Sequence, residues 1–482
     1  MQVSTVNLSK VKKTSKLFRF DAEFFQPKYI ETEGLIQKSK YSELRDLISV
    51  LTDYHANGSY EILRGNVELK SEQDYAHMIR TVDIERDDFE NDIIYISEHA
   101  YNFLSKTKLY GGEIIINKIG NAGRVYLIPP IERATSLGMN QFMIRANENI
   151  NNYYLFCYLS GKFGQNQLSQ RITGAVPLSI DKESTRSVFV PLFSGKIQKL
   201  VAKAVTAHFQ YSGESKKLYK QAQTLLLSEL GLTNWQPKHQ LTFVKNYSDT
   251  EKAGRIDAEY FQPKYEEIIK AIRNYSGGWD TLENLVTVKK CVEVGSSEYL
   301  DEGIPFVRVS NLSPFEITEE KYISEKLYQE IKQHQPNKGE ILFSKDASPG
   351  TAYYLNASPQ KMIPSGGILR LKNKSDKINN EYLTLVLNSM LTKEQVNRDV
   401  GGSVILHWRP DQVKETVIPI LPEAKQTQIQ QKVTKSFNLR KQSRQLLECS
   451  KRAVEMAIEQ DEQKAISWLK EQTRDIGVID AD

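Results

Sequence analysis

Cysteine is scarce in this chain of 482 residues: only Cys157, Cys291 and Cys449, far apart and odd in number. Such usage gives neither a disulfide framework nor a cysteine-based zinc site. The seven histidines form no His-Glu-x-x-His pair. Long apolar runs are missing too: no window approaches the ~18 uncharged apolar residues of a membrane helix, and the opening MQVSTVNLSKVKKTSK lacks the apolar stretch of a secretory signal. A cytoplasmic protein with no membrane partner is expected. Also absent are a glycine-rich cofactor loop, an Asn/Asp-Pro-Pro-aromatic motif and a Gly-x-x-x-x-Gly-Lys-Ser/Thr loop, so base-methylating or nucleotide-driven chemistry has no foothold and no cofactor or metal is expected. Asp301, Glu319 and Lys321 mimic a nuclease metal pattern, but the aligned copy-one positions are Asn91 and Ile93, and ITEEKY reads as a charged turn. Charge of one sign is in short supply as well. A net charge of +4 permits nucleic-acid binding through local clusters without announcing it.

What is present is a repetition. RFDAEFFQPKY begins at Arg19 and RIDAEYFQPKY at Arg255, 236 positions later. Matching features follow at a steady offset of 228: Arg80 with Arg308, Tyr154 with Tyr382, Gly174 with Gly402, Pro191 with Pro419, Phe209 with Phe437 and Ser215 with Ser443. GGEIIINKIGNAG against KGEILFSKDASPG slips by one, to 227, and the first copy carries eight extra residues before Arg80. An offset held over so many features marks an internal duplication. Length agrees, since single cores stop growing at roughly 250 to 300 residues.

Each copy has the same order of elements. An opening helix comes first; in QPKYEEIIKAI, Pro263 and two glutamates occupy the first turn, where a missing N–H is harmless and negative charge is favoured. Short β-branched runs bounded by Gly, Pro or Asn follow, GEIIINKI and RVYLIPP in one copy and EILFSKD and GILRLKN in the other, and these predict strands of a compact α/β unit. Beyond Pro191 and Pro419 the period changes. Ile197, Leu200, Val201, Ala204 and Val205, then Leu218, Ala222, Leu225 and Leu226, recur at helical spacing, as do Ile429, Val433, Phe437, Leu446, Leu447, Val454 and Ile458. A helix from Lys196 to Leu230 would run about 50 Å at ~1.5 Å per residue, longer than its own unit needs. The obvious partner for its apolar stripe is the other copy's helix.

This doubled order, an α/β unit, a proline-ended strand and a long helix done twice from about Arg19 to Trp468, resembles the specificity subunit of Type I restriction-modification systems. The resemblance implies a mixed α+β fold: a tandem duplication of an α/β target recognition domain, each followed by a long helix, the two helices packing as an antiparallel coiled coil. The boundaries it implies are 1–193 for the first recognition domain, 194–232 for the central helix, 233–421 for the second domain and 422–472 for the distal helix. It implies a non-catalytic chain that reads a bipartite, asymmetric site on double-stranded DNA, assembled with two methyltransferase subunits and with restriction-translocase subunits. The family's Pro-Pro-Leu-x-Glu-Gln ahead of each helix is reduced here to LPEAKQTQI in the second copy and LFSGKIQKL in the first. The alternative is a duplicated coiled-coil scaffold for proteins, which would show no DNA sequence preference.

DNA reading needs cationic and amide side chains near strand ends, and glycine turns that bring backbone N–H groups to phosphate. Three matched places offer these. NKIGNAGR supplies Lys118, Asn121 and Arg124, against Lys345 and Ser348 in SKDASPGT. SQRITGAV supplies Arg171 and Thr173, against Arg398 and Ser403 in NRDVGGSV. Arg80 and Arg308 form the third pair. The bland reading of each is a solvated charge or a turn that only the fold requires. Residues common to both copies suit fold or phosphate contacts, and those that differ suit base choice. The 24 tyrosines are dispersed and read as packing residues before stacking platforms.

Overall fold

The computed structural model describes residues 5–9, 11, 19, 21–400 and 406–478. The chain divides into two compact units, Met1–Ser212 with Arg440–Asp482, and Gly213–Leu439. Both dividing points fall inside long helices, Gly195–Glu229 and Glu423–Glu459. Each unit thus holds one copy of the repeated α/β domain, the first half of that copy's own helix and the second half of the other's.

The first unit contains a four-stranded antiparallel sheet in the spatial order Ile48–Asp53, Gln141–Ala146, Ile114–Asn117, Val125–Leu127. The second repeats it as Val286–Lys290, Ile368–Asn373, Glu340–Ser344, Ala352–Tyr354. The central strands carry apolar residues on both faces because both faces are covered. Ile114 and Ile116 join the core beneath helix Asn152–Ser160, whereas Ile115 packs with Ile79, Leu137 and Met143. Ile341 and Phe343 divide from Leu342 in the same way. Successive strand residues face opposite sides, so a continuous apolar run requires apolar material on both. The second layer is a smaller sheet with one parallel pair, Ala76–Ile79 beside Thr135–Leu137 in one unit and Ile304–Val307 beside Ile363–Pro364 in the other. The mixed, duplicated α/β fold expected from the sequence is the one observed.

The repeated eleven residues are a clasp. Arg19 grips Asp21 through Nε (2.8 Å) and Nη2 (2.9 Å), and its Nη1 donates to the carbonyls of Gln170 and Ile172. Arg255 does the same with Asp257 (2.7 and 3.0 Å) and the carbonyl of Asp399. Each arginine thereby ties the start of its copy to the C-terminal end of a helix some 150 residues later, Lys162–Arg171 or Met390–Asp399. The prolines Pro27 and Pro263 then open the next helix at its first turn.

Other matched residues are ties as well. Buried Tyr154 donates its hydroxyl to the carbonyl of Pro191 (2.8 Å), and Tyr382 to that of Pro419 (2.9 Å). Asn151 and Asn379 cap the tyrosine-bearing helices, and their own N–H groups donate to Gln198 (2.8 Å) and Gln426 (3.0 Å) at the start of the long helices. These bonds fasten each α/β domain to its own helix.

Within the second unit the helix halves run antiparallel: Lys425 meets Glu229 (2.8 Å), Lys432 meets Gln221 (3.0 Å), and Lys435 meets Glu214 (3.0 Å). Ala222 and Leu226 share a core with Ile429 and Val433. In the first unit Ser194 bonds Glu462, and Ser443 donates to the carbonyl of His208 (2.9 Å), while Ile197, Val201 and Ala204 pack with Leu446, Ala453 and Val454. The expected distal helix over 422–472 is two helices, because Asp461 accepts from the N–H of Lys464 (2.8 Å) and caps a new one, Glu462–Thr473. Its Ala465, Ile466 and Leu469 close the core of the first unit. Among the described residues no helix is long and apolar enough to cross a membrane.

Candidate nucleic-acid interface

At the end of strand Ile114–Asn117 the chain turns through Lys118–Arg124. Asn117 donates to the carbonyl of Arg124, Gly123 donates back to that of Asn117 (2.9 Å each), and Gly120 takes a φ of +82°. In the second copy Ser344 and Gly350 make the same two bonds, with Ala347 in the left-handed region (φ +58°) where the first copy has Gly120. A second loop, Thr173–Ser179, is closed by a reciprocal pair of 2.8 Å bonds between its ends. Two further bonds sew the loops together: Gly120 N–H to the Leu178 carbonyl (3.2 Å), and Ile180 N–H to the Lys118 carbonyl (3.0 Å). Their counterparts are Ala347 to Leu406 (2.9 Å) and Trp408 to Lys345 (2.8 Å). Two of the places singled out in the sequence therefore form one two-loop platform in the first unit, and among the described residues of the second unit the first loop and its bonds to Leu406 and Trp408 repeat it.

Side chains on and around the platform divide into ties and exposed groups. Lys118 is a tie: its ammonium lies 3.1 Å from Asp53, which also meets Lys182 at 2.7 Å and whose side chain is only 8% exposed. Burial pushes the Asp53 carboxyl up, but the two ammonium groups outweigh it and hold the group below its usual range. Lys345 likewise faces Asp346, whose other oxygen meets His407 Nδ1 at 2.9 Å. Glu85 accepts from Asn117 (3.2 Å) and Asn121 (3.1 Å), bracing the first loop against the short helix Thr81–Glu85. Asn121, Arg124, Thr173 and Ser348 are exposed on the platforms.

The arginines depart from expectation. Arg171 is 6% exposed; its guanidinium donates to the carbonyls of Gln167 (2.8 Å) and Ser187 (3.0 Å) and to the side chains of Gln170 and Ser187 (2.9 Å each). It is a core tie, with four of its five N–H donors spent inside the fold. Arg398 pairs with Asp399 (2.7 Å) and lies over the Tyr260 ring, which Arg255 also covers. Arg80 binds Asp83 (2.6 Å) and the carbonyl of Asp92 (2.7 Å). Arg308 binds Asn311 and, twelve residues on, Glu320 (2.6 Å). Both arginines thus stiffen a turn in the smaller sheet. Ser403 lies outside the described residues.

Sequence reading missed Asp53, Lys182, Asp346 and His407. Asp346 was within reach, since it adjoins Lys345; the others are brought in by pairing across long stretches of chain. Asp301 is fully exposed and sits 3.9 Å from Lys321. Among the described residues no three His, Cys, Asp or Glu side chains are placed to hold a metal ion.

Residues 277–448 match the family model of the Type I restriction modification DNA specificity domain. No curated protein matches the chain by sequence. Among solved structures it is similar to the Type-I restriction-modification system S subunit from M. genitalium, at 12% identity over 92% of this chain and 96% of that one (TM-score 0.37). It is also similar to the HsdS subunit from Thermoanaerobacter tengcongensis, at 14% identity over 88% and 97% (TM-score 0.28).

Proposed function

We propose that this chain, whose residues 277–448 carry a Type I restriction modification DNA specificity domain, is a specificity subunit with two such readers, one in each compact unit. Each reader presents its two-loop platform to one half of a bipartite site on double-stranded DNA. The observation that carries the reading is the platform itself, built by equivalent backbone bonds in both copies while its side chains differ: exposed Asn121 against exposed Ser348, exposed Arg124 against half-buried Thr351. A common frame with different contents suits two halves of unlike sequence.

Arg124 and the loop N–H groups are the candidates for phosphate and base-edge contacts, with Asn121, Thr173 and Ser348 beside them; Ser403, outside the described residues, is a further candidate from the sequence. Lys118 and Lys345 act beneath the platform as counter-ions. The recognition domains, 1–193 and 233–421, are served by the helices over 194–232 and 422–472, with the second of these spans broken at Asp461. The chain itself supplies no catalysis. Two methyltransferase subunits, and restriction-translocase subunits where present, provide the chemistry in the cytoplasm, and the chain supplies the address.

The test is reconstitution with the methyltransferase partner. The complex should methylate one discontinuous sequence, and the isolated chain none. Robust methylation by the chain alone, or a complex without sequence preference, would overturn the reading.

A further inference from the structure

The loop Thr173–Ser179 carries side chains for which the fold has no use. Val176 is 95% exposed and Leu178 46% exposed. A single exposed valine would be ordinary, but this one stands on a loop held from several sides. The two 2.8 Å bonds between Thr173 and Ser179 close it, and the bonds to Gly120 and Lys118 anchor its far strand. Gly174 has a φ of +99°, and a Cβ there would stand 2.8 Å from the carbonyl oxygen of Pro177, so the turn accepts only glycine. Valine branches at Cβ and keeps few rotamers. The result is an apolar point presented in a fixed place.

The electrostatic surroundings indicate what it meets. Carboxylates beside the loops are engaged, Asp53 by Lys118 and Lys182 and Glu85 by Asn117 and Asn121. Arg124 is exposed on the adjoining loop. An apolar point beside a guanidinium matches the major groove of a duplex, where phosphates line the rim and the C5-methyl of thymine is the apolar feature of the floor. The aligned residue of the second copy is also a valine, Val404, outside the described residues. Shared residues suit the fold or phosphate, but a valine 95% exposed serves neither, which leaves an apolar contact.

We propose that Val176 reads one thymine, through its C5-methyl group, in the half-site of the first unit. This rests on the specificity-subunit reading above. The test uses the complex with its methyltransferase. The methylated sequence is mapped, and the half belonging to the first unit is taken as the one that changes when residues 57–187 are exchanged for those of a relative. Each thymine of that half is then replaced in turn by deoxyuridine, which lacks only the methyl. Wild type should bind one of these duplexes about fourfold more weakly, the effect of one unburied methyl group. Val176→Ala should bind the thymine and deoxyuridine duplexes alike, at the weaker level. A half-site with no methyl-sensitive thymine, or a Val176→Ala complex as sensitive as wild type, overturns the proposal and leaves the specificity reading standing. A complex with no sequence preference at all overturns the specificity reading and the proposal with it.

Discussion

Replacing Arg370 by methionine isolates a deeply buried ion pair of the second unit. Arg370 and Glu340 are each 4% exposed at the side chain and meet through two bonds, Nε to Oε2 (2.8 Å) and Nη2 to Oε1 (3.0 Å). The guanidinium also donates to the carbonyl of Gln333 (3.0 Å), and Glu340 accepts from the N–H of Asn337 (3.1 Å). Burial pushes the Glu340 carboxyl up, but Arg370 and the Asn337 N–H outweigh it, so the group is held below its usual range. Methionine has no charge to offer, and the carboxylate keeps one N–H donor in a site closed to water. Removing one partner of a buried pair costs about 3–5 kcal/mol. The pH dependence fixes the cause. In wild type the folded pKa is depressed, so the pair's contribution is complete above the unfolded value of about 4.3 and is lost as pH falls through the folded value. In the variant burial dominates, the folded pKa rises above the unfolded one, and folding favours protonated Glu340. The deficit relative to wild type should therefore be largest at neutral pH and shrink towards pH 4. The assay is hydrogen exchange of the amides in Glu340–Ser344 under rising urea, which follows this strand without assuming that both units unfold together. Adding Glu340→Gln should recover part of the loss. A deficit below about 1 kcal/mol, the scale of an exposed pair, or one that does not vary with pH, would refute the reasoning.

Three further outcomes are expected. Tyr382→Phe and Tyr154→Phe each remove a hydroxyl that satisfies a buried proline carbonyl, and each should lower stability in urea titration by about 1 kcal/mol. Arg124→Ala should reduce the slope of log affinity against log salt by roughly 1, whereas Lys118→Ala, which removes a counter-ion of Asp53, should leave the slope unchanged. Exchanging residues 291–416 for those of a relative should change one half of the methylated sequence and spare the other; if both halves change together, the two-reader arrangement is wrong.

Features repeated along the chain were legible in the sequence, and features made by distant pairing were not. A fixed offset exposed the duplication, and unbroken β-branched runs marked four strands of the main sheets, because period and composition are local properties. Lys118 read as a free cation because its partner Asp53 lies 65 residues earlier, on the first strand of the same sheet. Arg171 read as part of a turn, yet helix Lys162–Arg171 continues through it and aims it at the buried side, with Gln167 and Leu168. Nothing in SQRITG says which side of that helix the core occupies.

The fate of the shared residues gives the division of labour between fold and reading. Arg19 and Arg255, Arg80 and Arg308, Tyr154 and Tyr382, and Gln198 and Gln426 all direct polar atoms to ties inside their own unit. A group committed to such a tie must break it to meet DNA, and a buried donor or acceptor left unpaired costs about 1–3 kcal/mol, comparable with what one good base contact returns. Such residues are poorly placed to choose bases, whatever their charge. Beyond the methyl contact proposed for Val176, choice falls to exposed groups that differ on a common frame and hold no such tie, and the first loop supplies Arg124, where the second copy has Thr351; Asn121 is held by Glu85. A guanidinium can make two bonds to a purine edge, and the hydroxyl that replaces it makes fewer and discriminates less. The half-site read by the first unit should therefore depend on Arg124, through bonds that the second unit has no means of making from the same position.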